Sequence, residues 1–185
     1  MSHRLVAVAM LAVSLLAGKK EDPVAPKKFD SAIGEYLKLR KRAIEGIPAL
    51  KPKATPEQIQ ANKVALAQAI REARPDAGQG TVFSTEIVAY FREIIQSEMR
   101  GRQGAPAKAS AKQGNPASDP SSAPVAVKVN MPYPDSAPLS TVPSTLLLRL
   151  PKLPKELDFR FVGRHLILRD ADAGLIVDYI PNAIP

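Results

Sequence analysis

Residues 158–181, DFRFVGRHLILRDADAGLIVDYIP, constrain this chain more than any other stretch. Phe159 and Phe161 alternate with Asp158 and Arg160 before Gly163, and Leu166 and Leu168 follow it at the same spacing, as on one face of a strand pair. With Gly163 and Arg164 as the centre of a type II′ turn, which favours glycine first, Val162 faces His165. The pairs then run Phe161 with Leu166, Arg160 with Ile167, Phe159 with Leu168, and Asp158 with Arg169. Phe159, Phe161, Leu166 and Leu168 share one face, and Asp158 meets Arg169 on the other. A one-residue slip would divide the aromatics between faces, so the hydrophobic pattern sets the register. A four-residue loop Ala171–Gly174 extends the same logic, pairing Asp170 with Leu175, Leu168 with Val177 and Leu166 with Tyr179. The spacing predicts a three-stranded meander with strands near 158–162, 165–170 and 175–180. Its second face would hold His165 opposite Ile180 and diagonal to Asp178.

Such a small sheet needs a cover for its apolar face. The first half of the chain supplies three amphipathic stretches. Residues 31–45 carry Ile33, Tyr36, Leu37 and Ile44 at helical spacing, with Asp30 or Ser31 as cap and Gly46 and Pro48 as stop. TPEQ at 55–58 is a capping box with proline at the first helical position, opening a helix to Arg74. Residues 85–99 present Ile87, Phe91, Ile94 and Ile95 as a stripe, with Ser84 as cap and Gly101 as terminator. The three helices are expected to pack on one another, and the Phe91–Ile95 stripe is an available cover for the sheet.

The remaining stretches read as connections. Residues 18–28 form a charged, proline-bearing leader, 29–100 the helical region, and 101–124 a low-complexity segment without bulky apolar residues. A segment of that composition is expected to be a flexible linker. In the proline-rich region 125–185, Val125, Val127 and Val129 suggest a short strand and 144–150 a helical turn. The fold class is therefore α+β: a three-helix N-terminal part, a disordered linker and a small antiparallel β-meander.

Residues 1–17 read as a signal peptide. Arg4 precedes the 13-residue run LVAVAMLAVSLLA, well short of the about 20 residues that span a bilayer. Export to the periplasm or the extracellular space is expected, with no transmembrane domain once the signal is cleaved and a membrane-tethered form if it is not. The chain has no cysteine, which excludes disulfides, thiolate nucleophiles and sulfur-ligated metals. The formal charge is +8, with 15 basic and 11 acidic residues in 19–100. That surplus suits an anionic envelope surface, whereas export and the lack of basic–aromatic interleaving argue against nucleic acid.

Few residues offer chemistry. His165 and Asp178 are candidates for a base and its orienting carboxylate, with Ser140, Thr141 or Ser144 as nucleophile. Lys38, Arg40, Lys41 and Arg42 form a candidate anionic-surface patch, although basic residues near a helix C-terminus are usually its solvated face. DADAG at 170–174 resembles half a calcium loop, but a strand follows where further oxygen ligands belong. Its aspartates suit a tight turn instead. No cofactor or metal site is expected.

The segments PYPDSAPLSTVP and LPKLPKELDFRFVGRHLILRDADAGLIVDYIPNAIP, with the helical part before them, resemble an uncharacterised family of exported bacterial proteins with no assigned activity. The resemblance implies export and the two-part layout and carries over no functional residue. The expected role is non-enzymatic: an envelope-associated structural or interaction protein with a protein or anionic-polymer partner. The alternatives are an envelope hydrolase using His165 and Asp178, and an electrostatic binder of anionic envelope polymers.

Overall fold

The computed structural model describes residues 24–118, 121 and 124–185. The expected signal peptide lies outside the described residues. Helices α1 (Val24–Ala43), α2 (Pro56–Ala73), α3 (Thr85–Met99) and α4 (Ala105–Lys112) precede the single turn α5 (Ser144–Leu147). Strands β1 (Leu157–Val162), β2 (His165–Asp170) and β3 (Leu175–Ile180) form an antiparallel sheet in the order β1-β2-β3. The architecture is α+β.

Helix α1 begins seven residues before the expected start, inside the stretch read as a disordered leader. Phe29 explains the extension. It continues the stripe Ile33, Tyr36 and Arg40, one face at helical spacing, and is fully buried. Pro26 falls in the first turn, where backbone N–H groups have no intrahelical acceptor to lose. Asp30 and Ser31 are exposed helical residues rather than caps. Helix α2 has the capping box: Gln58 N–H donates to Thr55 Oγ1 at 3.3 Å, and Thr55 N–H donates to Gln58 Oε1 at 2.9 Å. It buries Leu66, Ala67 and Ile70, while Ile59 and Val64 face solvent. Helix α3 has the expected bounds, but Ser84 makes no side-chain cap bond.

One continuous core joins helices and sheet. Phe29 stacks near Phe83 and Phe159, and Phe91 meets Phe159 edge-on at 5.7 Å between centroids. The α3 stripe thus covers the apolar face of the meander, with Leu157, Phe161, Leu166, Leu168, Val177 and Ile180 beneath it. Such offset and edge-to-face pairs each add about 0.5–1.5 kcal/mol beyond the area they bury.

The segment 101–124 departs from the expected linker. Helix α4 occupies Ala105–Lys112 and buries Ala107 and Ala111, one turn apart. Alanine is the best helix former and permits close backbone approach, so this helix needs no bulky stripe. Gly104 makes the approach: a Cβ there would overlap the Met99 carbonyl. Beyond α4, buried Asn115 clamps the β1–β2 turn. Its Nδ2 donates to Gly163 O at 2.8 Å, and its Oδ1 accepts from Gly163 N–H at 2.7 Å.

The β1–β2 register is the expected one throughout, extended by Leu157 with Asp170. Gly163 and Gly174 both have positive φ, 58° and 59°, as their turns require. The β2–β3 register departs after its first pairs. Asp170 faces Leu175 and Arg169 faces Ile176, but Leu168 then faces Asp178, leaving Val177 as the extra residue of a β-bulge. Ile167 therefore meets Tyr179 and Leu166 meets Ile180.

No regular strand forms at 125–129. Instead, the proline-rich segment lies across the second face, where Val125, Val127, Tyr133 and Ala137 pack on Val162, Ile167 and Ile176. It then lines the β3 edge, with Asn130 N–H donating to Ile176 O and Tyr133 N–H to Gly174 O. On the β1 edge, Phe161 N–H donates to Ser140 Oγ at 2.6 Å. Prolines and a hydroxyl thus occupy edges that would otherwise template further strands. The helical turn at 144–147 falls within the expected 144–150.

Candidate functional site

The bulge decides the fate of the His165–Asp178 pair. Shifting β3 by one residue turns Asp178 onto the helix-facing side of the sheet, while His165, paired with Val162, stays on the other. Asp178 is fully buried and its carboxylate is saturated by backbone donors. Its Oδ2 accepts from Val82 N–H at 2.7 Å and Phe83 N–H at 2.8 Å. Its Oδ1 accepts from Gly80 N–H at 3.0 Å and from its own neighbour, Tyr179 N–H, at 2.8 Å. Asp178 organises the α2–α3 loop. The expected base–carboxylate contact is absent, because those loop donors draw the carboxylate inward.

His165 packs edge-on against Tyr179 at 6.1 Å, and Asn182 N–H approaches its Nδ1 at 3.4 Å. It lines a groove of about 590 Å³ with Val125, Val127, Gly163 and Pro181. Neither Asp178 nor a candidate nucleophile belongs to the described wall of that groove. Ser140 is buried with its hydroxyl engaged by the β1 edge, whereas Thr141 and Ser144 are exposed elsewhere.

The basic cluster is also divided. Lys38, Lys41 and Arg42 are exposed, and Lys38 pairs with Glu35 at 2.8 Å. Arg40 turns inward and is only 8% exposed. Its Nε donates to Asp170 Oδ2 at 2.7 Å and its Nη2 to Asp172 Oδ2 at 2.7 Å. Tyr36 Oη donates to the same Asp170 oxygen at 2.8 Å, and Ala173 N–H to Asp170 Oδ1 at 2.9 Å. The oxygens that suggested a calcium loop thus hold a guanidinium. Among the described residues, no three or more His, Asp or Glu side chains are grouped so as to hold a metal ion.

Burial, then the charge and hydrogen bond of Asp170, push the Tyr36 phenol far above its ordinary range. Burial by itself would lower the Arg40 pKa. The Asp170 hydrogen bond and the charges of Asp170 and Asp172 outweigh it and raise the value. Arg74 lies over the Tyr36 ring at 5.4 Å and donates to Val177 O at 3.1 Å. Burial lowers its pKa against smaller opposing effects from Tyr36 and Asp178. The expected Asp158–Arg169 pair is present and two-pronged, at 3.1 and 2.7 Å, with Arg160 joining on Asp158 at 3.0 Å.

Sequence reasoning missed Arg40 as a seam residue and Asn115 as a turn clamp. Arg40 had a signal, since it follows Phe29, Ile33 and Tyr36 on one helical face. Asn115 had none beyond its place between glycine and proline.

A groove of about 850 Å³ runs between α2 and residues 128–135, walled by Lys63, Val64, Arg71, Met131 and Tyr133. The Lys63–Asp135 ion pair bridges its two sides. No protein-family model, curated protein or solved structure matches the chain. No helix among the described residues is long and apolar enough to cross a membrane.

Proposed function

We propose that this chain is an exported protein of the bacterial envelope that acts by interaction rather than catalysis, in keeping with the exported family its segments resemble. The observation that carries the reading is the division of the ionisable residues. Asp178, Asp170, Arg40 and Tyr36 tie the helices to the sheet, and His165 stands apart from all of them. Groups locked in mutual hydrogen bonds serve architecture, since releasing any one of them would leave buried charge unpaired. The apolar run Leu5–Ala17 behind Arg4 supports export.

The test is fractionation of cells expressing the full chain, with mass measurement of the recovered protein. The expected result is a chain shortened near Ala17 in the envelope or periplasmic fraction. Full-length protein in the cytosol would overturn the compartment. Complementation of a deletion strain by a folded His165→Ala chain addresses catalysis, and loss of complementation would favour the hydrolase.

A further inference from the structure

Leu147, the last residue of the single turn α5, and Leu148, its C-cap, stand out from the surface. Leu148 is 87% exposed, the most of any exposed large apolar residue described, and its neighbour Leu147 is 47% exposed. Exposed leucines on a mobile loop would mean little. These two sit on a fixed turn. Leu146 and Leu150 are buried on either side, Leu147 N–H donates to Pro143 O, and Leu148 N–H donates to Ser144 O. The ordering entropy that a flexible loop would lose on binding has therefore been lost on folding.

Basic groups outnumber acidic ones around them: Glu98 is taken up by Arg149, and Asp158 by Arg160 and Arg169. Residues 136–155 contain Arg149, Lys152 and Lys155 and no carboxylate, and all three cations are exposed. Arg149 shares Glu98 of α3 at 3.3 Å, which orients it beside the turn. Lys152 lines a groove of about 360 Å³ with Leu147, Pro151 and Leu153, and the ion-paired Asp158 and Arg160 form its far wall. A protruding apolar pair on a segment with an excess of exposed cations matches the boundary of an anionic bilayer, where acyl chains accept leucine and phosphates accept lysine. Two copies of this face would oppose like charges.

We propose that the α5 turn seats the protein on an anionic lipid surface. Leu147 and Leu148 enter the headgroup boundary, and Arg149, Lys152 and Lys155 contact lipid phosphates. The proposal rests on the envelope reading above for its compartment and adds the partner's chemistry.

The chain lacks cysteine, so a Ser144→Cys substitution gives a unique site for an environment-sensitive dye. The full chain is mixed with phosphatidylcholine vesicles with and without phosphatidylglycerol. The expected result is a blue-shifted emission and protection from iodide only with the anionic vesicles, both weakened by salt. L147S/L148S and K152E/K155E should each weaken the shift at least tenfold in lipid concentration, with the urea midpoint unchanged. The same dye at Lys53→Cys should stay in water. A chain held on vesicles by residues 5–17 while the Ser144 dye remains quenched would overturn the proposal. So would a concentration-dependent dimer that L147S/L148S abolishes without affecting the vesicle signal. Cytosolic location with an intact vesicle signal sinks only the compartment, and export without that signal sinks only the lipid contact.

Discussion

Replacing Arg40 with methionine tests whether the helices and the sheet are tied together as described. Methionine keeps an apolar stem and the helix propensity of arginine, so the change removes the guanidinium and little else. Two charge-assisted hydrogen bonds at 2.7 Å disappear. The bond to Asp172 counts little, because that carboxylate is exposed and can be hydrated. Asp170 is fully buried and, among the described residues, would keep the Tyr36 hydroxyl and the Ala173 N–H as donors. Removing one partner of a buried pair costs about 3–5 kcal/mol, mostly the penalty of the charge left behind. A domain of this kind is stable by roughly 5–15 kcal/mol, so Arg40→Met should remove about a fifth of the total at the least and most of it at the other extreme. Urea unfolding followed by circular dichroism reads the change. Arg40→Met/Asp170→Asn should be more stable than the sum of its parts by about 1–3 kcal/mol, because the double change leaves no buried charge. Lys41→Met, on the exposed side of the same turn, should lie within about 0.5 kcal/mol of the parent. An Arg40→Met chain as stable as Lys41→Met would refute the reasoning and return Arg40 to the solvent.

Two further outcomes follow from the same structure. The native Tyr36 phenol holds its proton to higher pH than the unfolded chain, whose tyrosines titrate near 10.0. Its contribution is therefore complete below that pH and declines above it, by up to about 1.4 kcal/mol per pH unit. Tyr36→Phe should remove this component of the alkaline slope, as read from urea midpoints between about pH 9 and 11.5; an unchanged slope would contradict the burial of the phenol. Gly104→Ala sets a methyl against the Met99 carbonyl, which cannot rotate away, and should cost about 1–3 kcal/mol. Hydrogen exchange at Ala107–Lys112 should accelerate, and unaltered protection there would mean that α4 does not rest on α3.

What could be read in the sequence, and what could not, divides along the range of the forces involved. Helix α3 and the β1–β2 hairpin were legible because a strong apolar stripe and one glycine turn decide them locally. The β2–β3 register was not. Continuing the alternation puts Val177 opposite Leu168, and nothing nearby says that Asp178 will be drawn across the sheet by amides nearly a hundred residues earlier. Helix α4 escaped notice because its buried stripe is alanine, which looks the same in a linker as in a helix packed at close range. The candidate residues failed for a related reason. In one dimension His165 lies among aspartates and Arg40 among lysines, but the sheet separates the first group and the helix phase divides the second.

The seam between α1 and the β2–β3 turn bears on the order in which the molecule can be assembled. Tyr36 and Arg40 wait for Asp170, which lies 134 and 130 positions later. Phe29 likewise has no Phe159 to stack on until most of the chain has been made. Contacts of such long range delay folding, because loops must close before they are rewarded. During synthesis the helical part therefore lacks its sheet partners until strands β1–β3 emerge. A chain arranged this way stays loose while its helices are made and locks when the β-meander arrives.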